Sequence, residues 1–242
     1  MNRLIVLLSG VLLSLSAEAA DWKVMYSETF DGLASGTRTA TKALPQWEGH
    51  SAAGVVFDGK TEQAGKFLVA SSSWASFNQG PILNLDLSSV PHDRVRVEFD
   101  LYTFGDWKGL QRATGGPVHR LMMFDGKATP RFAFDTNFST DKAFKQSWPD
   151  RNPAELPGGR GATPVEIDRT GRFHTAHRWP LSFDYASGSP SLRFTILCGA
   201  AAGSGSPMPA FGIDNVRVSV RPLNVEPVGG VEIPFVLEKP TR

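Results

Sequence analysis

Three acids, two near the start of the chain and one near its end, offer the sharpest chemistry in the sequence. Asp214 lies in FGIDNVRVSV, where Val216, Val218 and Val220 alternate with Arg217 and Ser219. This two-residue period marks a half-buried strand. Asp214 shares the parity of the valines, so a strand running back to Ile213 aims its carboxylate at the packed layer. A charge there must meet a cation or several donors, because desolvating it alone is costly. The best partner for such an end strand is the first strand, which brings Glu28 and Asp31. Carboxylates of this kind suit Ca²⁺, a hard ion that takes roughly six to eight oxygens, backbone carbonyls included. Turn capping and surface charge are the alternative use of the same three residues.

Other constellations are weaker. His174 and His177 stand three apart, which on a strand puts them on opposite faces, and His119 is remote, so no zinc set forms. Glycoside hydrolysis needs two carboxyls roughly 5–10 Å apart across a cleft. Glu98 and Asp100 share a strand face at about 7 Å by strand geometry. The E-x-D-x-x-E run of many sandwich glycosidases is absent, however, and Arg96 beside Glu98 fits a solvated polar face. No G-x-S-x-G occurs, so a serine hydrolase has no anchor. Tyr102, Trp107 and Trp148 fall on a polar strand face or in loops, and exposed rings are what sugar rings stack on. Trp74 and Trp179 read as core. The single Cys198 has the parity of Leu192, Phe194 and Ile196 and reads as a small buried residue.

Composition sets the compartment. Asn2-Arg3, the apolar run Leu4–Leu15 and Ala17-Glu18-Ala19 form a signal peptide over residues 1–19, with Ala20 as the expected mature start. The protein is therefore expected to be secreted or periplasmic, with no transmembrane segment after the signal is removed. Against 25 Lys and Arg stand 24 Asp and Glu, a formal charge of +1. That balance gives no electrostatic case for nucleic acid or an anionic membrane surface. One cysteine excludes an internal disulfide, so stability must come from a hydrophobic core.

The elements that must position these residues are short strands. Asp21–Phe30 is the first, with Trp22, Val24 and Tyr26 on one side. Candidates follow at Trp47, Gly54–Phe57, Lys66–Ser71 and Ile82–Leu87. Arg94–Phe104 is the clearest, with Val95, Val97, Phe99 and Leu101 inward and Glu98, Asp100 and Tyr102 outward. Leu121–Phe124 and Arg131–Phe138 flank the hairpin signal Asp125-Gly126. Ser139–Gly171 reads as a long loop, and Phe173–Tyr185 and Ser191–Cys198 return to strand before the end strand. About ten to twelve strands with turn signals predict an all-β, antiparallel β-sandwich of jelly-roll type over residues 20–221, with an extended tail at 222–242.

Several segments resemble a known class. EFDLYTFGDWKG, TNFST with QSWPD, RWPLSFDYASGSPSLRFT and FGIDNVRV stand in the order found in bacterial secreted jelly-roll domains of the concanavalin-like or carbohydrate-binding-module-like kind. FDG followed by GKFLVASSSWASFNQGPILNLDL is similar to the "FE-x-G … G-x-(Y/F)-x-L … W-x-G" run of calcium-containing carbohydrate-binding modules. The resemblance spans roughly residues 26–220. It implies that Asp31 and Asp214 lie side by side at a structural cation. It also implies that the loop carrying Trp148 shares one end of the sandwich with Trp107. Trp107-Lys108-Gly109 replaces the usual Trp-Asp-Gly, and His119 replaces an Asp, so a second acidic site is expected to be lost.

Together these readings predict a non-catalytic binder of glycan or cell-surface polysaccharide. Its expected groove is lined by Tyr102, Asp106, Trp107 and Trp148, and Ca²⁺ is expected at Glu28, Asp31 and Asp214. A sandwich-fold hydrolase or lyase would instead show two carboxylates facing each other in a groove. A structural envelope protein would show a large exposed apolar patch.

Overall fold

The computed structural model describes residues 22–32, 38–39, 44–48, 54–58, 66–70, 81–105, 107, 109, 119–126, 130–149, 156–165, 176–200 and 211–223. The expected signal peptide and the tail beyond Leu223 lie outside these residues, as do Trp74, Asp106 and His174. No helix of the described residues is long and apolar enough to cross a membrane.

Fifteen strands occupy the described residues: β1 (Lys23–Glu28), β2 (Arg38–Thr39), β3 (Trp47–Glu48), β4 (Gly54–Asp58), β5 (Lys66–Ala70), β6 (Ile82–Asp86), β7 (His92–Phe104), β8 (His119–Asp125), β9 (Phe132–Asn137), β10 (Lys145–Gln146), β11 (Leu156–Pro157), β12 (Thr163–Val165), β13 (Ala176–Ala186), β14 (Ser191–Ala200) and β15 (Phe211–Pro222). They form a large sheet, β12-β13-β7-β15-β5-β4-β2 with β1 also on β15, and a smaller sheet, β3-β6-β14-β8-β9. All pairings are antiparallel. Eight strands carry the topology. In chain order they run first, eighth, third, sixth in one sheet (β1, β15, β7, β13) and second, seventh, fourth, fifth in the other (β6, β14, β8, β9). That is the double Greek-key wrapping of a jelly roll. The fold class and the pairing of first strand with end strand are as the sequence predicts.

Alternation builds the core. From β7, Val95, Val97, Phe99 and Leu101 are buried; from β13, Trp179, Leu181, Phe183 and Tyr185 lie directly opposite them. The smaller sheet answers with Leu83, Met123, Phe132, Phe194 and Ile196 in the same cluster. Each such side chain contributes about 1.5–3 kcal/mol by leaving water. The Trp179 indole N–H donates to Thr103 Oγ1 at 2.9 Å, which satisfies its polar atom inside the core. The outward face of the same two strands carries Arg96, Glu98, Asp100, Arg178, Pro180, Ser182 and Asp184.

Two bulges alter the expected register. One, between Val24 and Tyr26, separates residues expected on one side: Val24 is 43% exposed, whereas Tyr26 accepts a hydrogen bond from the Trp47 indole at 2.8 Å. The other lies in β15. Asp214 opposes Asp100 and Arg217 opposes Glu98, so Asn215 and Val216 together oppose the one residue between them. Asn215 takes the left-handed conformation (φ 50°) that lets the extra residue fit. The bulge reverses parity. Ile213 opposes Leu101 in the core, and Val218 opposes Val97 there too, while Asp214 stands with Asp100 on the outward side.

The expected long loop is only partly irregular. β10 pairs with β11, and β12 joins the large sheet. Gln146 ties the segment together: its amide N–H groups donate to the Trp148 and Arg160 carbonyls at 2.8 and 2.9 Å, and its Oε1 accepts from Gly159 N at 3.1 Å. Gly158 is required by space, since a Cβ there would sit 2.1 Å from the Asp141 carbonyl oxygen.

Candidate functional site

The acids expected at a cation divide between two roles. β15 is bordered by β7 on one side, and on the other by β5 up to Ile213 and by β1 from Val216 onward. Asp214 lies at the handover, just where the chain leaves β1 for Asp31. Asp214 is 2% exposed and accepts a hydrogen bond from the Asn215 N–H at 2.7 Å. Burial raises its carboxyl to about 7; the Asn215 N–H works against this, and Asp31 and Asp100 push it further up, so both acids are within electrostatic reach. Asp31, expected beside Asp214, acts on it as a nearby negative charge. The parity argument for Asp214 does not hold: it is buried on the outward side of the sheet, because the Asn215 bulge flips the face. Glu28 serves the turn. Its Oε1 accepts from the Phe30 N–H at 2.7 Å, closing a loop in which Phe30 is itself left-handed (φ 57°). Among the described residues, no group of three or more His, Cys, Asp or Glu side chains is gathered as a metal-ligand set.

Next to the acid pair lies an open cleft of about 360 Å³ on the outward face of β13, β7 and β15. Glu98, Asp100, Arg178, Pro180, Asn215 and Arg217 line it. Asp100 forms its floor, 4% exposed, and its Oδ2 accepts from the Arg178 guanidinium at 2.8 Å and from the Asn215 side-chain amide at 2.7 Å. The Asp100 hydrogen bond holds the Arg178 guanidinium above its ordinary pKa. Asn215 thus touches both acids: its backbone N–H serves Asp214 and its amide serves Asp100. The Arg178 Nε is buried and without a hydrogen-bond partner among the described residues.

The expected aromatic groove is overturned. Tyr102 does sit on the outward side with Glu98 and Asp100, but it is fully buried because Phe67 of β5 stacks on it at 4.7 Å. Burial, then Asp214 and Asp100, raises its phenol well above the usual range, and its Oη has no hydrogen-bond partner among the described residues. Trp107 is also fully buried, edge-on to Phe138 at 6.4 Å. Its backbone is fixed by Thr140, whose N–H donates to the Trp107 carbonyl at 2.8 Å. Trp148 is half-buried against Phe134, Phe138 and Phe183. Trp107 and Trp148 therefore meet around Phe138 in the core, and Tyr102 lies on the other side of the large sheet. All three rings are packing residues in this arrangement, and Asp106 lies outside the described residues.

Sequence reasoning weighed Glu98 and Asp100 but missed Arg178, Pro180, Asn215 and Arg217. The alternation of β13, with Trp179, Leu181, Phe183 and Tyr185 inward, was the available signal for the first two. His177 is half-buried, and burial lowers its pKa.

No family model matches the chain, and no curated protein matches it in sequence. Among solved structures, the CBM22-1 xylan-binding domain of Paenibacillus barcinonensis Xyn10C is similar at 13% identity and a TM-score of 0.38, covering 85% of this chain and 99% of its own. The mannan-recognising carbohydrate-binding module TmCBM27 is similar at 10% identity and a TM-score of 0.41, covering 84% and 99%. The carbohydrate esterase vb_24B_21 from the Shiga toxin-encoding bacteriophage phi24B is similar at 11% identity and a TM-score of 0.41, covering 83% and 100%. The strand order defines the class, an antiparallel jelly-roll sandwich, and the chemistry of this chain must be read from its own residues.

Proposed function

We propose that this chain is a secreted, non-catalytic jelly-roll sandwich that binds a glycan or cell-surface polysaccharide in the outward cleft. The observation that carries the reading is the cleft itself: it offers carboxylates, guanidiniums and an amide around Pro180 on a rigid sheet. A hydroxyl-rich ligand needs donors and acceptors together, and such a mixture supplies both. The polar groups stand on strands, and Asp100, Arg178 and Asn215 are already joined by hydrogen bonds. Pre-organisation of this kind reduces the cost of ordering the site on binding.

In the same reading, Ca²⁺ sits by Asp31 and Asp214. What supports it is the chemistry of the acids: Asp214 is buried with its pKa raised and Asp31 adds negative charge to it, which a hard cation would offset. Such an ion would offset the repulsion between the acids and fix the junction of β1, β5 and β15. Glu28 supports the site by shaping the turn at Phe30. Secretion rests on the N-terminal signal pattern.

The hydrolase reading has one observation in its favour, since Glu98 and Asp100 line the same cleft. Asp100, however, is clamped by Arg178 and Asn215, which suits a charged structural acid better than a nucleophile or proton shuttle.

A glycan array on the mature chain, in calcium and in chelator, tests the proposal. Binding to at least one glycan without its cleavage is expected. Turnover of a bound glycan would favour the hydrolase, and an empty array would remove the binding reading. Melting in the same two buffers reads the ion separately: calcium should raise Tm by mass action, and identical melts would rule out a stabilising site.

A further inference from the structure

We propose that the cleft selects an uncharged glycan, seating a sugar ring on Pro180 with neighbouring hydroxyls shared between Glu98 and Arg217. This rests on the glycan-binding reading and adds the class of glycan.

The four ionic groups of the cleft fall into two pairs. Asp100 and Arg178 are joined at 2.8 Å and neutralise each other. Glu98 and Arg217 oppose each other across β7 and β15. Neither has a hydrogen-bond or ion-pair partner among the described residues, Arg217 is exposed and Glu98 half-buried. Residues directly opposed on one face hold their Cβ atoms about 4.5–5.5 Å apart, so both heads reach one ligand group. A carboxylate only accepts hydrogen bonds and a guanidinium only donates them. A hydroxyl does both, so two adjacent hydroxyls satisfy the pair without bringing in charge.

A charged sugar fares worse. A uronate would gain Arg217 but meet Glu98 and the Asp100 floor; an amino sugar would gain Glu98 but meet both guanidiniums. Two acids and two arginines leave the cleft balanced, and a like charge placed in it costs affinity. Pro180 supplies the remaining contact. It is exposed, lies opposite Asp100, and stands beyond Arg178, where the pairing of β13 with β12 stops. Its ring offers the C–H face of a sugar a flat apolar seat flanked by polar groups.

Calorimetric titration of the mature chain tests this, using xylohexaose, mannohexaose and cellohexaose against hexagalacturonate, at low and high salt. At least one neutral hexasaccharide is expected to bind about tenfold or more tighter than hexagalacturonate, with little change in salt. Arg217→Gln should weaken the neutral ligand about tenfold. Glu98→Gln should narrow the gap by admitting the uronate. Unchanged melting temperatures show that both variants fold. Hexagalacturonate binding tighter than every neutral ligand, and weakening in salt, would overturn the proposal while leaving glycan binding intact. Neutral binding unaffected by Arg217→Gln would also overturn it. No binding of any oligosaccharide, here and on the array, would sink the glycan reading and this inference with it.

Discussion

Two buried aspartates, one in each sheet, have opposite surroundings. Asp125 of β8 is fully buried, and its carboxylate is saturated. Arg131 grips it with Nε and a terminal nitrogen at 3.0 and 2.9 Å, Tyr185 donates its hydroxyl at 3.2 Å, and the Arg193 N–H donates at 3.1 Å. Asp214 of β15 is buried to nearly the same degree with one N–H donor, two acids nearby and the charge of Arg178 as a weaker offset. The first carboxylate is a staple that joins the β8–β9 turn to β13 and β14. The second keeps unmet demand for positive charge next to an open cleft. Burial alone does not separate a structural acid from a site acid; the count of donors does.

Breaking the staple should give the largest effect. Asp125→Ala leaves the Tyr185 hydroxyl and the Arg193 N–H without their acceptor, and removes the counter-charge of Arg131. A loss of about 3–5 kcal/mol is expected in urea unfolding. A loss below about 1 kcal/mol would show that the two aspartates differ less than their donors imply.

The pH response of Asp214 comes next. Its folded pKa lies above the ordinary carboxylate value, so between about pH 4 and 7 the folded state holds more protons than the unfolded one. Its contribution to stability is therefore complete below about pH 4 and is lost as pH rises toward 7. In chelator, Asp214→Asn should lift the melting temperature at pH 8 and remove this loss, so that the variant gains on the wild type as pH rises across that window. A wild-type melt that rises relative to the variant over the same range would contradict the crowded-acid picture.

Asn215 gives a smaller effect. Asn215→Ala must hold a left-handed backbone without its amide, at a cost of about 1–2 kcal/mol. Asn215→Gly keeps the bulge and loses only the bond to Asp100, so its cost should be lower. Equal losses in thermal melts would mean that the amide bridge, and not the backbone turn, is what Asn215 supplies. Arg217→Gln should be the mildest, within about 0.5 kcal/mol of wild type, as for an exposed residue with no partner.

The strands of this fold were legible because their inward and outward residues alternate over long runs. β13 keeps the alternation from Trp179 to its end, and β7 keeps it from Val95 to Phe99, beyond which every residue to Phe104 is buried. The site was legible only where it repeated that pattern. The pairing of the first strand with the end strand came out as expected, yet the face of Asp214 depends on one inserted residue, and parity cannot register a bulge. Tyr102 shows another limit: alternation assigns a side of the sheet, but exposure depends on what stacks there, and Phe67 is remote in sequence. Trp107 and Trp148 read as exposed because they fall in loops of polar composition. Polar loop composition does not reveal that Gln146 and Thr140 pin those turns onto the core. The Cys198 side chain lies outside the described residues, and its expected burial stands on its parity with Leu192, Phe194 and Ile196, which are buried.

The place of β15 has a consequence for how the molecule comes to exist. Among the described residues it is the last strand in chain order, yet it touches β7, β1 and β5 and is what joins three parts of the large sheet. Lys23 pairs with Val220, so the earliest strand closes against the latest. Until β15 docks, β7 and β1 expose open edges that invite pairing with other chains. A topology with such long sequence separations folds slowly, since loop closure must precede the contacts that reward it. The large sheet can therefore zip up only after nearly the whole chain has emerged. A chain stopped before Phe211 would not be a shorter version of this sandwich but a large sheet broken into separate pieces with their aggregation-prone edges uncovered.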